Sequence, residues 1–515
     1  MKRAILKRKT TKPSAWGVGL TATVLSALCL LIIWERFHTY HEPLYTNLVC
    51  YASFGRELLA GKKLYVDLWD HKPPGIFLTY ALSEAVAGSG KLALYLLSVG
   101  AGIAGLFGVY RTVRFIHPSV FPALMAAGLW AVVSGDLGLE ANRPDMEVFI
   151  NAFLVWALAL MVEKEGALSV RRSILIGALW AAASFYKHYV LVDAIALGLA
   201  YMAMGPPREF AKRRQSVLWG LGTVVGFWVV IFGYFLITGR FQAFWEALVS
   251  FNLYYSGDMG GNIANGLFDG HFVPGKLIWV WPFVLFLLAG FILGVRQQKT
   301  KWVLFAVFCA AKYLEVVLPG RYTTHYYQLW LPAIAVGFGW SICALEKQWN
   351  RKTAALLAVL LMGFAVVYEA KWCRLSPMES SRVKYGTDYE AVPAIVKVVQ
   401  ETLQPGETYF EWSDVPRFYY DVGTPLPARY LFNFLMFRGP LTDRMANETI
   451  EDLERSKPEL VVFDRLWRPD GWQNHKVFGY LKEKYKAYRA MGLIGRFELQ
   501  YRIGGKLEKR LEVKK

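Results

Sequence analysis

The sequence is poor in charge and in cysteine for a chain of 515 residues. Charged residues make up 19% of it and apolar residues 55%, a balance typical of integral membrane proteins. Its five cysteines form no Cys-x-x-Cys pair, so no disulfide framework is implied. The chain also has no solenoid-type repeat and no long low-complexity segment. These absences exclude disulfide-rich and repeat architectures.

Basic residues outnumber acidic ones by 58 to 40, and the net charge of +18 invites a nucleic-acid interpretation. The basic residues lie, however, in short clusters between apolar runs, such as 208–214, 296–301 and 347–352. This is the pattern of cytoplasmic loops beside anionic lipid, so we expect membrane lipid and no nucleic acid as a partner. A basic start precedes a long apolar run without a cleavage site, which predicts a retained signal anchor.

Eleven apolar runs are candidates for membrane-spanning helices. They are 15–34, 91–110, 119–134, 147–162, 173–188, 189–204, 216–237, 277–295, 302–318, 327–345 and 353–370. A twelfth run, 74–90, is ambiguous. If it does not span, every basic cluster lies on the side of the basic N-terminus. The positive-inside rule therefore favours eleven spans, a cytoplasmic N-terminus and an outer C-terminus, with 74–90 a helix on the outer face.

The predicted fold is an α-helical polytopic membrane protein with a C-terminal soluble α/β domain. Residues 1–370 form the transmembrane domain, and residues 371–515 form the extracytoplasmic domain. Predicted elements of the second domain are strands at Gly406–Trp412, Leu460–Asp464 and 496–503, and helices at Glu448–Ser456 and Lys482–Ala490. This domain contains no catalytic motif. Asp414, Arg429 and Tyr430 are candidates for a contact surface, and the alternative, which we favour, is that they serve packing and turns. We expect the protein in the cytoplasmic membrane of a cell with an envelope.

This topology places the chemically useful side chains in the outer loops 35–90, 135–146, 238–276 and 319–326. Glu42 and Asp145 adjoin predicted spans, where partial desolvation suits a carboxylate for general-base catalysis. Asp67 and Asp70 precede a Pro-Pro corner and are candidates to orient His71 or Lys72. The alternative is that these carboxylates cap helices or pair with nearby arginines.

Basic residues in the predicted outer loops depart from the positive-inside pattern, so they suggest a specific role. The candidates are Lys72, Arg143, Lys187 and Arg321, together with His71 and His325. A phosphate at headgroup level would supply one, through charge-assisted hydrogen bonds. Snorkelling of a lysine to the interface is the alternative, especially for Lys187. The acidic and histidine residues leave a divalent cation open, although no tight ligand spacing supports it.

The first outer loop resembles that of the GT-C superfamily, and more narrowly the family 39-type protein mannosyltransferases and bacterial aminoarabinose transferases. The matching residues are Glu42, Tyr45, Gly61, Leu64-Tyr65-Val66-Asp67 and Asp70-His71-Lys72-Pro73-Pro74-Gly75, with Asn142-Arg143-Pro144-Asp145, Phe185-Tyr186-Lys187 and His325-Tyr326-Tyr327 further on. The resemblance implies a GT-C fold, a polyprenyl-phosphate-linked sugar donor and inverting transfer on the outer face. It also implies that the first-loop acid, the second-loop acid and the lysine before Pro-Pro are functional.

One departure from the family pattern concerns the base. The family usually begins this loop with Asp-Glu, whereas this chain has His41-Glu42. The resemblance therefore leaves three candidates, ranked Glu42, then Asp145, then His41, since a histidine can transfer protons near neutral pH. Loss of activity is a further alternative.

The function that the resemblance implies is hexosyl or pentosyl transfer to an envelope glycan such as lipopolysaccharide, to a lipid or to a protein. Two hypotheses of other classes stay open. A transporter or flippase would need polar residues at mid-membrane, where Asp193 and Glu315 are exceptions in nearly charge-free spans. A non-catalytic polytopic partner would merely present the C-terminal domain.

Overall fold

The computed structural model describes residues 15–117, 119–163, 166–268 and 275–513. The basic start of the predicted signal anchor and residues 269–274 of the third outer loop lie outside these ranges. The helices of the N-terminal part are α1 (Ala15–His38), α2 (Thr46–Leu59), α3 (Gly75–Ala87), α4 (Lys91–Arg114), α5 (Phe121–Val133), α6 (Met146–Val162), α7 (Val170–Ser184), α8 (Leu191–Ala203), α9 (Phe210–Ile237), α10 (Phe241–Trp245), α11 (Phe251–Ser256), α12 (Met259–Phe268), α13 (Trp281–Gln297), α14 (Lys299–Val317), α15 (Leu331–Gln348) and α16 (Arg351–Ala370). Each of the eleven predicted spans overlaps one of these helices.

Six helical stretches among the described residues are long and apolar enough to cross a membrane. They are Gly17–His38, Lys91–Arg114, Pro207–Ile237, Leu277–Gln297, Thr324–Gln348 and Arg351–Arg374. Shorter apolar helices cover Gly75–Ala87, Phe121–Val133, Met146–Val162 and His188–Ala203. The chain is therefore a multi-pass membrane protein, as predicted. The number of eleven crossings and the orientation stay predictions.

The predicted helix 173–188 extends too far, because α7 ends at Ser184. The Phe185 carbonyl accepts a hydrogen bond from the Gly75 backbone N–H, at 3.0 Å. A short 3₁₀ turn, His188–Val190, then leads into α8. Lys187 is therefore in the break between two helices and not on a helix face. A side chain at Gly75 would place its Cβ 2.4 Å from the Phe185 oxygen, so this contact requires glycine.

Small residues set the close packing of the helices that carry the site. A Cβ at Gly177 would lie 2.2 Å from the Gly220 carbonyl, which shows how closely α7 approaches α9. Such glycine contacts are common where membrane helices pack without a hydrophobic driving force. On the neighbouring helices, the Trp130 indole of α5 donates to the Gly102 carbonyl of α4 at 2.8 Å.

The C-terminal part is an α/β module. Its helices are α17 (Pro377–Tyr385), α18 (Val392–Thr402), α19 (Tyr419–Val422), α20 (Thr442–Ser456), α21 (Lys476–Lys484) and α22 (Lys506–Val513), and its strands are β1 (Tyr409–Trp412), β2 (Leu460–Asp464), β3 (Tyr485–Ala487), β4 (Leu493–Ile494) and β5 (Phe497–Arg502). The strand order is β1-β2-β5-β3, with β4 also paired to β5. β1 and β2 run parallel, and the remaining pairs are antiparallel.

The predicted strands at Gly406–Trp412, Leu460–Asp464 and 496–503 are confirmed, and the predicted helix Glu448–Ser456 is the second half of α20. The predicted helix Lys482–Ala490 is wrong. The helix ends at Lys484, and the next three residues pair with β5 as an edge strand.

The C-terminal module contacts the first outer loop directly. The Trp69 backbone N–H donates to the Arg429 carbonyl at 3.0 Å, and the rings of Trp69 and Tyr430 lie 5.4 Å apart. The Arg56 guanidinium donates to the Thr424 carbonyl at 3.1 Å. Arg429 and Tyr430 thus pack against the first outer loop within the chain.

Candidate active site

A cavity of about 490 Å³ lies among the loops that are predicted to face outward. Its polar wall is formed by His71, Lys72, Lys187, His188, Tyr189, Asn252, Tyr255, Ser256 and Tyr326, and its apolar wall by Pro73, Met146, Leu191, Trp228, Phe232, Leu248, Val249, Leu253, Met259, Leu318 and Pro319. One cavity thus offers two ammonium groups beside a mostly apolar surface. We call it the donor cavity, after the sugar donor that the resemblance implies.

Lys72 is fixed in the donor cavity by Asp70. Its ammonium lies 3.0 Å from both carboxylate oxygens of Asp70, and the Phe432 ring centroid is 5.1 Å away. Burial acts against the charge of Lys72, but attraction to Asp70 outweighs it and raises the pKa of the lysine. The Tyr65 hydroxyl donates to the Lys72 carbonyl at 2.8 Å and fixes the backbone. The ammonium is therefore charged and held in place.

His71 is a neutral, oriented imidazole. The Asn252 amide nitrogen donates to carbonyls, among them those of His71 and Leu248 at 2.7 and 2.9 Å, which identifies the other amide atom as oxygen. That oxygen lies 3.0 Å from the His71 Nδ1, so Nδ1 must carry the proton. Burial, and secondarily Lys72, lowers the pKa of His71 to about 4. His71 therefore supplies a polar wall and no positive charge near neutral pH.

Lys187 reaches the donor cavity from the break after α7. Its ammonium pairs with Glu147, a buried residue in the first turn of α6, and lies 3.6 Å from the Tyr326 ring centroid. The side chain is 5% exposed, so it is not a lysine that snorkels to water. Tyr326, a predicted site-shaping residue, thus holds the second ammonium in the wall.

Arg321 lies beside the donor cavity behind Tyr255. Its guanidinium is 3.8 Å from the Tyr255 ring centroid and donates to the carbonyl of that residue at 2.5 Å. Arg321 is exposed, and no ion pair with it occurs among the described residues. Its charge is therefore available to a ligand at the rim.

Asp145 does not itself line the donor cavity; it caps α6 directly before Met146, which does. Its Oδ1 accepts a hydrogen bond from the Met146 backbone N–H at 2.7 Å. The residue is 2% exposed, and no cation pairs with its carboxylate within the described ranges. Its charge contributes, after burial, to raising the pKa values of Tyr45 and Tyr51 of the first outer loop. Asp145 is thus a buried carboxylate with one oxygen uncommitted.

Glu42 lies outside the donor cavity, in a cluster of opposite charges. Its carboxylate is 2.7 Å from the Arg143 guanidinium and 2.5 Å from the Lys384 ammonium, and the Asn142 amide donates to it at 3.2 Å. Burial disfavours its charge, but Arg143 and Lys384 outweigh burial and lower the pKa of Glu42. Both of its oxygens are therefore engaged. Arg143, predicted to bind phosphate, is likewise placed outside the wall of the donor cavity.

Lys384 belongs to α17, immediately after the last predicted span. Burial lowers its pKa to about 8, and the neighbouring Arg143 acts in the same direction. The adjacent Tyr385 stacks on Tyr45 with ring centroids 4.3 Å apart. This cluster thus joins the first outer loop, the second outer loop and the C-terminal module.

Three further predicted site residues lie apart from the donor cavity. His41 is exposed and packs edge-on against Tyr40. Asp67 is exposed and accepts a hydrogen bond from the Lys63 backbone N–H at 2.8 Å, which closes the turn around Tyr65. His325 is buried, with its Nδ1 4.0 Å from Glu140 and its ring edge-on to that of Tyr326.

Among the residues of these sites that were not singled out from the sequence are Glu147, Asn252 and Lys384. Lys384 carries no motif signal, since it is one of many lysines beyond the last apolar run. Glu147 had one usable signal, because a carboxylate at the start of a predicted membrane span needs a partner if it is buried. For a metal, no group of three or more suitable His, Cys, Asp or Glu side chains occurs among the described residues.

The sequence and the structure were compared with known protein families and solved structures. A sequence model of the family described as dolichyl-phosphate-mannose-protein mannosyltransferase matches residues 71–234. No curated protein sequence matches the chain.

Similar solved structures cover nearly the whole chain. ArnT from Cupriavidus metallidurans in the apo state has a TM-score of 0.64 at 14% identity, covering 95% of this chain and 99% of that one. The same protein bound to undecaprenyl phosphate has a TM-score of 0.62 at 14% identity, with 94% and 98% covered. The oligosaccharyltransferase AglB from Archaeoglobus fulgidus, in complex with an inhibitory peptide and a dolichol-phosphate, has a TM-score of 0.51 at 12% identity, with 96% and 75% covered. The chain therefore has the GT-C fold, as its first outer loop indicated.

Proposed function

We propose that this GT-C-fold protein is a membrane glycosyltransferase. It transfers a hexosyl or pentosyl group from a polyprenyl-phosphate-linked donor to an acceptor at the outer face of the cytoplasmic membrane. The observation that carries the proposal is the donor cavity, where Lys72 and Lys187 line the same space as a long apolar wall. A lipid phosphate matches both surfaces. The similar structures of ArnT and AglB, which hold undecaprenyl phosphate and dolichol-phosphate, support this ligand class.

In the proposal, the phosphate binds at the lysine end of the donor cavity. Lys72 and Lys187 pair with Asp70 and Glu147, and the N–H groups that these carboxylates leave unengaged can donate to a phosphate oxygen. Arg321 adds a third cation at the rim. As the glycosidic bond breaks, negative charge grows on the leaving phosphate, where loss of one donor costs ~2.7–4 kcal/mol of barrier.

The lipid tail follows the apolar wall. Leu248, Val249 and Leu253 contribute one side of the donor cavity, and Leu318 contributes another. Burying a methylene group is worth about 0.8 kcal/mol, so several isoprene units add affinity without specificity for the sugar. This division of labour explains why a membrane scaffold carries the site.

The acceptor is activated by Asp145. Its uncommitted oxygen takes the proton of an acceptor hydroxyl or amine, which attacks the anomeric carbon from the face opposite the phosphate. Positive charge develops on the sugar ring, as in glycoside hydrolysis, and the configuration inverts. Glu42 is the less suitable base because Arg143 and Lys384 occupy its oxygens. Its proposed role is to hold Arg143, and with it the second outer loop, in place.

The buried charges of the predicted spans do not favour the transporter hypothesis. The Lys312 ammonium lies 2.8 Å from Glu315 and 3.6 Å from Asp193, so the two exceptional carboxylates share one buried cation. They join α8 to α14 and do not line the donor cavity. This pairing accounts for them as structural groups.

The experiment compares envelope glycans and polyprenyl-linked sugars in cells with the wild-type protein, with Lys72→Ala and with Lys63→Ala. Lys63 is an exposed lysine of the same loop outside the donor cavity, so its variant is the matched control. We expect Lys72→Ala to abolish one mass addition on an envelope component and to accumulate the lipid-linked sugar. Unchanged glycans and unchanged lipid-linked sugars in the Lys72→Ala cells would contradict the proposal.

A further inference from the structure

A second groove, of about 390 Å³, lies on the C-terminal module. Its principal lining residues are Phe434, Phe437, Arg438, Trp467, Arg468 and Arg496. We call it the arginine–aromatic groove. Neither the donor cavity nor the Glu42 cluster includes any of these residues.

The aromatic surface of this groove is rigid. The Trp467 ring lies 5.1 Å from that of Trp412, which is 1% exposed, and 5.2 Å from that of Phe437. Phe437 in turn stacks on His475 at 4.2 Å. Trp467 and Phe437 are themselves half-buried. Their orientation is therefore fixed by packing, and a ligand that lies against them pays little in ordering side chains.

Two guanidinium groups in the groove lack a carboxylate partner. Arg438 and Arg468 are exposed, and the described residues form no ion pair with either. The Arg468 guanidinium is held in place by Trp472, whose ring centroid is 4.3 Å away, and by a hydrogen bond to the Trp467 carbonyl at 2.8 Å. By contrast, Arg496 is 2.8 Å from Asp388 and also binds Asp464, and the lining carboxylate of Asp414 pairs with Arg417. The groove therefore presents an excess of positive charge. Guanidinium groups bind carboxylates and phosphates in bidentate geometry.

The groove adjoins the donor cavity through a short piece of chain. The Phe432 ring is 5.1 Å from the Lys72 ammonium, whereas Phe434, two residues later, lines the groove. The rings of Phe432 and Phe434 are 6.0 Å apart. The groove and the Lys72 side of the donor cavity are therefore joined by one short segment of chain, Phe432 to Phe434.

We propose that the arginine–aromatic groove binds an acidic saccharide, a sugar chain carrying carboxylate or phosphate groups. Aromatic faces pack against the C–H faces of sugar rings, and the two arginines hold the acidic substituents. The groove would then present the acceptor of the proposed transfer. The acceptor role rests on the proposed function, whereas saccharide binding by the groove is independent of it.

The test measures binding to the full-length protein in detergent micelles by calorimetry. The probes are tetragalacturonic acid, the neutral tetrasaccharide maltotetraose and tetraglutamate. Arg438→Ala/Arg468→Ala is compared with Lys482→Ala/Arg489→Ala, which removes the same charge from exposed positions outside the groove. We expect tetragalacturonate to bind at least tenfold more tightly than either other probe. The groove variant should weaken it at least tenfold, and the control should change it less than twofold.

Equal weakening in the two double variants would overturn the proposal, because it would show only non-specific attraction to a basic protein. If tetraglutamate binds as tightly as tetragalacturonate, the proposed ligand class is wrong and the groove recognises acidic groups without regard to the saccharide. Absence of binding at millimolar probe would also overturn it. If the protein shows no sugar transfer but still binds the acidic saccharide selectively, the proposed function is wrong and the proposed binding site is supported.

Discussion

The buried Glu42–Lys384 ion pair allows a direct test of how the C-terminal module is joined to the membrane part. Changing Lys384 to Met leaves one oxygen of a buried carboxylate without its cation, while Arg143 still compensates the other. Breaking a buried pair by removing one partner costs ~3–5 kcal/mol. We expect a loss in this range, because neither side chain can reach water without separating the first outer loop from α17.

The matched control is the exposed pair of Lys397 and Glu401 in the same module, whose side chains are 74% and 64% exposed. Lys397→Met should cost ~0–1 kcal/mol, as exposed pairs do. The assay is denaturant unfolding of the purified protein in one detergent, followed by far-ultraviolet circular dichroism. The double variant Glu42→Gln/Lys384→Met removes both charges, so it should cost less than the two single losses added together.

Equal losses in Lys384→Met and Lys397→Met would refute the reasoning. So would additive losses in the double variant, since they would mean that Glu42 and Lys384 do not interact. The distance between their charged atoms would then have no energetic consequence.

Three other substitutions test separate parts of the account. Asp145→Asn should lower kcat for sugar transfer at least a hundredfold while leaving the affinity for the lipid phosphate unchanged. A kcat similar to that of the wild-type protein would show that another residue is the base. Gly75→Ala should destabilise the protein by ~1–3 kcal/mol in thermal unfolding, because its Cβ would overlap the Phe185 carbonyl. His71 has its pKa lowered to about 4 by burial, so the unfolded state binds its proton first and stability falls as pH drops from about 6.5 towards 4. His71→Gln should flatten that part of the pH profile, and an unchanged slope would exclude His71 as its source.

The helices were predictable because apolar runs are a strong local signal. The prediction failed where tertiary contacts set the boundary. Phe185 and Tyr186 continue the apolar pattern of α7, yet the helix ends at Ser184, where the Gly75 backbone N–H donates a hydrogen bond to the Phe185 carbonyl. No local pattern encodes that approach of α3. The position of Lys187 in the cavity wall follows from it.

The candidate site was predictable where short motifs bring residues together. Asp70 and Lys72 are neighbours in the chain, and they are also neighbours in space. Pairings across long separations left no such trace. Glu42 and Lys384 are joined only through the fold, so the sequence, which ranked Glu42 first among the candidate bases, gave no sign of this ion pair. Asp145 differs from Glu42 mainly because no cation among the described residues pairs with it, and only the three-dimensional structure shows this difference.

The central claim is that the donor cavity binds a lipid phosphate through Lys72. The most direct measurement is the affinity of the purified protein for undecaprenyl phosphate in nanodiscs, compared among wild type, Lys72→Ala and the control Lys63→Ala. The account predicts saturable binding that Lys72→Ala weakens at least tenfold and Lys63→Ala leaves within twofold. Equal binding by all three proteins, or the same affinity for uncharged undecaprenol as for its phosphate, would contradict it.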